Sequence, residues 1–252
     1  MNRPNSRSSI RCALALISLA LIGPAPLRAQ ALTAGTADVI AWAQGYQEAG
    51  RYGDALILLQ QAADVSPTRS PAGAKALRLA AADVQSAWAD SLQDGSPAQA
   101  LPHYQAALDT DQALRPADAA DDLDGAGLAH AGLHQYGEAA ASYRRALALR
   151  RRLGDESGQA NTLTWLGDAY RSDGRYSQAL DAYARALPLI RRHWAKNQEG
   201  ETLDNMGTAY DALHQYAKAV GFHRQALLLF QQAGTRTGRR RRAATWTSPG
   251  TS

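Results

Sequence analysis

The stretch that decides the fold is Leu163-Thr-Trp-Leu-Gly-Asp-Ala-Tyr170, followed by Tyr176-Ser-Gln-Ala-Leu-Asp-Ala-Tyr-Ala-Arg-Ala-Leu187. Both segments recur 40 residues earlier and 40 residues later in the chain. Nine columns recur across the three copies, seven of them with the same residue in every copy and two with a histidine in place of one tyrosine. In the middle copy they are Leu163, Gly167, Ala169, Tyr170, Tyr176, Ala179, Tyr183, Ala186 and Leu187. Self-similarity at a fixed period of 20–50 residues is the signature of a repeat architecture.

Within each unit the apolar residues follow a helical period. Leu163, Leu166 and Tyr170 are spaced by three and four residues, and the second segment continues this spacing. The segments 132–134, 172–174 and 212–214 break the pattern, so each unit is predicted to be an antiparallel pair of helices, A and B. Gly167 is expected where helix A meets helix B, and Tyr183 is expected to fill the space between one pair and the next.

The pattern Leu163-x-x-Leu-Gly-x-x-Tyr170 resembles the tetratricopeptide repeat, in which a similar motif precedes columns of alanine and an aromatic residue. The 40-residue spacing is similar to the longer variant of this repeat. That variant occurs in kinesin light chains and in bacterial proteins whose repeats precede a caspase-like (CHAT) peptidase domain. The resemblance implies an all-α fold, an α/α solenoid of helix–turn–helix units wound as a right-handed superhelix, with the A helices lining its concave face.

The repeats are predicted to occupy residues 30–234 as five units. Two early units are divergent, because Trp88 stands at the glycine column and Ser91 at the tyrosine column of the second one. The units are predicted at about 37–70, 74–113, 117–156, 157–196 and 197–234. This organisation leaves no room for a second globular domain.

Residues 1–29 are typical of a cleaved secretory signal peptide. Three arginines precede an apolar run from Cys12 to Gly23, and small residues mark a cleavage region at Ala29 or Ala31. The run has too few residues to cross a bilayer, which takes about 20. Because Cys12 is the only cysteine, the mature chain has none, which suits an oxidising compartment. We therefore expect a periplasmic or secreted bacterial protein without a membrane span.

The net charge of +4 results from basic residues at the two ends of the chain. Of the 27 Lys and Arg residues, four precede residue 30 and five follow residue 234, and neither end contains an acid. Residues 30–234 therefore carry 18 basic residues against 23 acidic ones. This balance argues against a nucleic-acid binder, which needs a clustered basic surface on its folded part.

Residues 235–252 have no hydrophobic period and contain a run of four arginines, Arg239 to Arg242. One interpretation is a basic disordered tail, attracted to anionic lipid or nucleic acid. The alternative is a frame-shifted end, because the period predicts another linker like residues 154–160 at this point. Both interpretations are kept.

The helical period predicts a set of groove-facing side chains on the A helices of the last three units. These are Asp121, Asp124, Asn161, Thr164, Asp168, Arg171, Glu201, Asp204, Asn205, Thr208 and Asp211, with Leu128 among them. Six are carboxylates and one is cationic, so the predicted ligand is a protein or an extended, basic peptide. The alternative is that acids near helix N-termini only stabilise the helix dipole, by about 0.3–1 kcal/mol each.

No catalytic or cofactor site is predicted. His130 and His134 have the spacing of two metal ligands on one helix, but their repeat counterparts are a packing tyrosine and turn residues, so we predict no metal there. Gly125 and Gly127 lack the preceding strand of a phosphate-binding loop. The arginines 150–152 and 191–192 are expected to complement the carboxyl ends of B helices.

Three functional hypotheses follow. The first is an exported, non-enzymatic scaffold that binds a protein or peptide. The second is the repeat region of a truncated caspase-like (CHAT) peptidase, inactive by itself. The third is a binder of nucleic acid or membrane that acts through the tail. The oligomeric state stays open.

Overall fold

The computed structural model describes residues 34–64, 70–193 and 196–233, and these residues form ten α-helices and no strand. The helices are α1 (Thr36–Glu48), α2 (Tyr52–Asp64), α3 (Pro71–Leu92), α4 (Pro97–Leu114), α5 (Pro116–Gly132), α6 (Tyr136–Leu153), α7 (Glu156–Ser172), α8 (Tyr176–His193), α9 (Lys196–Ala212) and α10 (Tyr216–Gln232). The predicted all-α class is confirmed. The predicted signal peptide and tail lie outside the described residues.

The chain divides after Arg115 into two compact units. In the first unit, α1 packs on α2, α2 on α3, and α3 on α4. Its core includes Val39, Leu58, Leu59, Leu77 and Val84. Helix α3 begins where the sequence gives a helix-start signal, because the Ser70 hydroxyl accepts a hydrogen bond from the Gly73 amide and Pro71 follows the cap.

The second unit is a stack of three helix pairs, α5 with α6, α7 with α8, and α9 with α10, joined by contacts of α6 with α7 and α8 with α9. Its helix bounds repeat at the sequence period. The A helices end at Gly132, Ser172 and Ala212, and the B helices begin at Tyr136, Tyr176 and Tyr216. This part of the chain is therefore an α/α solenoid, as predicted.

The turn between helix A and helix B uses the left-handed backbone region in all three pairs. Gly174 has a φ of 74°, and its counterparts His134 and His214 have a φ of 59°. The assignment of these residues to turns is thereby confirmed. A left-handed φ is easy for glycine and costs a side chain such as histidine some free energy.

The glycine column lies where helix A meets helix B. A Cβ built on Gly167 would lie only 2.4 Å from Cε1 of Tyr183, and one on Gly127 would lie 2.4 Å from Cε1 of Tyr143. The prediction for Gly167 is thus confirmed. The role predicted for Tyr183 needs a correction: its ring packs within its own helix pair, against Gly167, rather than only between neighbouring pairs.

Candidate functional site

The A helices of the second unit form a row in which α7 contacts both α5 and α9. Polar side chains join neighbouring members of the row. The Thr162 hydroxyl on α7 donates to Asp124 on α5 across 2.9 Å, and the Asn205 amide on α9 donates to Asp168 on α7 across 3.1 Å. We call the side of this row that carries Asp121, Asp168, Glu201, Thr208 and Asp211 the A-helix face.

The structure places the predicted groove residues in three states of exposure. Four are exposed on the A-helix face: Asp121, Glu201, Thr208 and Asp211. Six are half-buried: Asn161, Thr164, Asp168, Arg171, Asp204 and Asn205, and Leu128 is half-buried as well. Asp124 is buried, with 5% of its side chain exposed, so it does not face an open groove as expected. The helical period cannot detect this, because the partner that covers Asp124 comes from another helix.

That partner is Arg150, in the last turn of α6. Its Nη2 donates to Asp124 at 2.7 Å and to Asp121 at 2.6 Å, and its Nη1 donates to Asp155 at 2.6 Å. Burial raises the pKa of the Asp124 carboxyl to about 6, although Arg150 and Thr162 lower it. Arg150 thus joins two successive helix pairs through three carboxylates.

Sequence reasoning missed this role of Arg150, which was interpreted only as a cation at a helix end. A signal was present in the repeat. The counterparts of Arg150 at the 40-residue period are Ile190 and Phe230, and both are buried apolar residues. An arginine in a column that is otherwise apolar needs a buried counter-charge, and the acids of α5 supply it.

In the middle pair, Asp168 accepts hydrogen bonds from three neighbours. The Tyr183 hydroxyl donates to its Oδ1 at 2.6 Å, and the Asn205 amide donates to the same atom from α9. Arg171 lies 3.4 Å away, one turn along α7. Asp168 is therefore held in place and keeps about a third of its side chain exposed on the A-helix face.

In the last pair, a histidine takes the place of the tyrosine. The Nδ1 atom of His223 lies 2.8 Å from Asp204, and its Nε2 lies 3.1 Å from Asp211. A neutral imidazole carries one N–H, so it donates to one of these carboxylates, whereas imidazolium donates to both. The ring packs on Gly207, where a Cβ would lie 2.7 Å from its Cε1.

The charges of the A-helix face are unevenly neutralised. Arg150 compensates Asp121 and Asp124, Arg171 approaches Asp168, and His223 contacts Asp204 and Asp211. Glu201 is exposed on α9. The face as a whole keeps more carboxylates than cations, and its most exposed carboxylates lie near α9 and at Asp121.

The first unit contains a groove that sequence reasoning did not identify. It encloses about 380 Å³ between α1 and α3. Its lining combines apolar and polar residues: Ile40, Ala43, Gln44, Gln47, Glu48, Ala80, Asp83 and Val84. Among the lining residues, Asp83 forms an ion pair with Arg115 at 2.5 Å. The repeats of this unit are too divergent for their residue pattern to predict the groove.

The two histidines with metal-ligand spacing have other partners. His130 Nδ1 lies 2.7 Å from the Gln135 side-chain oxygen, and His134 Nδ1 lies 2.7 Å from the Tyr136 hydroxyl. Within residues 34–64, 70–193 and 196–233, no group of three or more acidic, histidine or cysteine side chains is arranged to hold a metal ion. In the same ranges, no helix has the length and hydropathy needed to cross a bilayer.

The second unit matches a known family. The model of the tetratricopeptide repeat family matches residues 117–192 and 159–232. No curated protein sequence matches the chain significantly.

Among solved structures, BtubC (BKLC) from P. vanneervenii is similar with a TM-score of 0.56 and 19% identity, over 98% of this chain and 93% of its own. MamA is similar with a TM-score of 0.55 and 16% identity, over 76% of this chain and 96% of its own. A putative kinesin light chain from Podospora anserina with nearly identical TPR-like repeats has a TM-score of 0.52 and 17% identity, over 79% and 96% of the two chains. At these identities the likeness concerns the fold. The matched part of the chain, residues 117–232, consists of tetratricopeptide repeats.

Proposed function

We propose that this chain is a non-enzymatic scaffold that binds an extended, basic segment of another protein along the A-helix face of its second unit. The observation that carries the proposal is the exposure of Asp121, Glu201 and Asp211 on one row of helices, with Arg171 as the cation among the predicted groove residues. A row of fixed carboxylates attracts a positively charged partner and sets its register.

Hydrogen bonds that fix polar side chains on the A-helix face support this proposal. Asp168 is fixed by Tyr183 and Asn205, so a peptide that binds it does not have to order it first. Preorganised groups lower the entropic cost of binding. Asn161 and Thr208 offer further polar atoms to a peptide backbone along the same face.

The test uses two fluorescein-labelled 12-residue peptides, one alternating lysine with alanine and one alternating glutamate with alanine. Fluorescence anisotropy with the full chain should show binding of the lysine peptide alone, and binding should weaken as salt rises. The double variant Glu201→Lys/Asp211→Lys should lower the affinity at least tenfold. Asp181→Lys is the matched control, because Asp181 is an exposed acid on the B helix α8.

Two outcomes contradict this proposal. Equal binding of both peptides would show that charge does not select the ligand. An unchanged affinity in the double variant, with Asp181→Lys equally unchanged, would place the binding surface elsewhere.

We further propose that residues 1–29 direct export, so that binding takes place outside the cytoplasm. The support is the order of arginines, apolar run and small residues in this segment. Fusion of residues 1–40 to alkaline phosphatase without its own signal should give phosphatase activity in the bacterial periplasm. Replacing Leu16 and Leu19 with arginine should abolish that activity, and activity that survives this change would contradict export by this segment.

A further inference from the structure

We infer that His223 makes the binding of a basic peptide at the A-helix face depend on pH, so that acid weakens it. The inference rests on the proposed function, because it concerns the regulation of the same face. Histidine is the side chain whose charge ordinarily changes between about pH 5 and pH 8. At His223 that change takes place between two carboxylates, Asp204 and Asp211.

Three columns of the repeat differ together around this ring. Tyrosine occupies the column of His223 in the two preceding pairs. The columns of the two carboxylates hold Asp124 and Ala131 in α5, and Thr164 and Arg171 in α7. Among the three A helices of the second unit, α9 alone has an acid at both positions, and its partner helix places an imidazole between them. A histidine that only filled the tyrosine column would need no second acid, so this combination favours a role in the charge of the face.

The packing holds the ring where each nitrogen reaches a carboxylate. Gly207 leaves room for it, because a Cβ there would lie 2.7 Å from Cε1 of His223. Nδ1 lies 2.8 Å from Oδ1 of Asp204, and Nε2 lies 3.1 Å from Oδ2 of Asp211. The side chain of His223 is 29% exposed and that of Asp211 is 48% exposed. The ring can therefore exchange protons with solvent, and a ligand can reach Asp211.

The charged groups that face the ring come from α9, the helix against which α10 packs. They are Asp204 and Asp211. On α10, Lys218 lies over an aromatic ring of α9, and Arg224 is exposed. The residues one turn before and after His223 are uncharged: Ala219, Val220, Ala226 and Leu227. Protonation of the ring therefore adds one positive charge to a group of two negative ones.

Protonation of His223 acts against a basic ligand in two ways. The imidazolium donates to both carboxylates, whereas the neutral ring donates to one, so a lysine of the ligand would have to displace a hydrogen bond at Asp211. The imidazolium also repels the ligand, because both are positively charged. Acid should therefore weaken binding at the end of the A-helix face formed by α9.

The test measures the affinity of the full chain for the alternating lysine–alanine peptide at pH 7.5 and pH 5.5, at equal ionic strength. The peptide carries a rhodamine label, which does not titrate in this range. The dissociation constant should rise about threefold or more on acidification, as expected for a partly exposed ion pair. His223→Tyr, which restores the residue of the other two pairs, and His223→Gln should each remove most of this rise.

The matched control is His214→Asn. His214 is an exposed histidine in the turn between α9 and α10, where its ring contacts Tyr216. Asparagine tolerates the left-handed backbone of this position, which has a φ of 59°. The control should keep the pH response of the parent. The difference between the parent and the His223 variants cancels the protonation of other groups, such as Asp124, whose pKa burial raises to about 6.

The outcomes separate this inference from the proposed function. An equal pH response in the parent and in both His223 variants would overturn the inference and leave the proposed function standing. Tighter binding of the parent at pH 5.5 than at pH 7.5 would also overturn the inference alone. A chain that does not bind the lysine peptide at pH 7.5 would overturn the proposed function, and the inference with it.

Discussion

Nη2 of Arg150 donates to Oδ2 of Asp124 across 2.7 Å and thereby joins the last turn of α6 to the interior of α5. Both side chains are nearly buried, with 11% and 5% exposed. Such a pair stabilises a fold little compared with apolar packing, but loss of one partner leaves the other charge buried and uncompensated. We therefore expect that replacing one partner alone lowers the stability more than replacing both partners together.

Arg150→Met should lower the free energy of unfolding by about 3–5 kcal/mol at pH 7.5. The reason is that Asp124, whose pKa burial already raises to about 6 in the presence of Arg150, would be left buried without its cation and would either stay charged or take up a proton, at a cost in both cases. Urea unfolding followed by circular dichroism measures the loss. At pH 5, where Asp124 can take up a proton, the loss should be smaller.

The neighbouring residue gives the control for this change. Arg151→Met alters an exposed arginine of the same helix and should change stability by less than about 0.5 kcal/mol. The double variant Arg150→Met/Asp124→Asn should recover part of the loss, because it removes the isolated charge. Equal losses in the single and double variants would refute this account of the pair.

Gly167→Ala should destabilise the second unit by about 1–3 kcal/mol. The new Cβ would lie 2.4 Å from the ring of Tyr183, which α7 and α8 enclose, so the helices have to separate. Gly137→Ala is the matched control, because a Cβ at this helical position meets nothing within 4 Å. The control should be neutral or stabilising by about 0.5–1 kcal/mol. Thermal unfolding measures the stability of both variants, and an equal change in stability would contradict the packing role of Gly167.

The sequence predicted the second unit well because one local rule is repeated there. The columns of glycine, alanine and tyrosine report direct contacts between the two helices of a pair, as for Gly167 and Tyr183. Turn residues are equally local, so His134 and His214 could be recognised from their counterpart Gly174. Features that depend only on residue spacing along the chain can therefore be predicted from the sequence.

The site was less predictable, because its charges are paired across helices. Asp124 and Asp168 lie on the same side of their A helices, one turn apart in the repeat, yet Arg150 pairs with the first in a buried position and Asn205 donates a hydrogen bond to the second. In the first unit, Trp88 departs from the glycine column and stacks on His103 at 4.0 Å between ring centroids. Such a substitution replaces the contact between a glycine and an aromatic ring by a different side-chain contact, which the 40-residue pattern cannot predict.

The stability of the first unit should fall as the pH is lowered through about 6.5. Burial against Trp88 lowers the pKa of His103 below its ordinary value of 6.5. In that pH range the unfolded chain binds a proton more readily than the folded chain, so acid favours unfolding. The Nδ1 atom of His103 lies 2.6 Å from the Gln85 side-chain oxygen.

Urea midpoints of the parent and of His103→Phe, measured at pH 7.5 and pH 5.5, test this effect. Phenylalanine keeps the stacking on Trp88 but does not titrate, so the midpoint of the variant should fall less on acidification. The difference between the two chains cancels the contributions of other titrating groups. A parent and a variant with parallel pH profiles would show that His103 does not contribute.

Gly174→Ala should cost about 1 kcal/mol, although a Cβ at this position meets no atom within 4 Å. The cost comes from the backbone, because Gly174 has a φ of 74°, where alanine is strained and glycine is not. Gly174→Asn should cost less, since asparagine tolerates this region better. Gly95→Ala is the control and should be neutral, because Gly95 lies in a turn without a positive φ. Thermal unfolding measures both variants, and an equal loss of stability in Gly95→Ala and Gly174→Ala would contradict the backbone explanation.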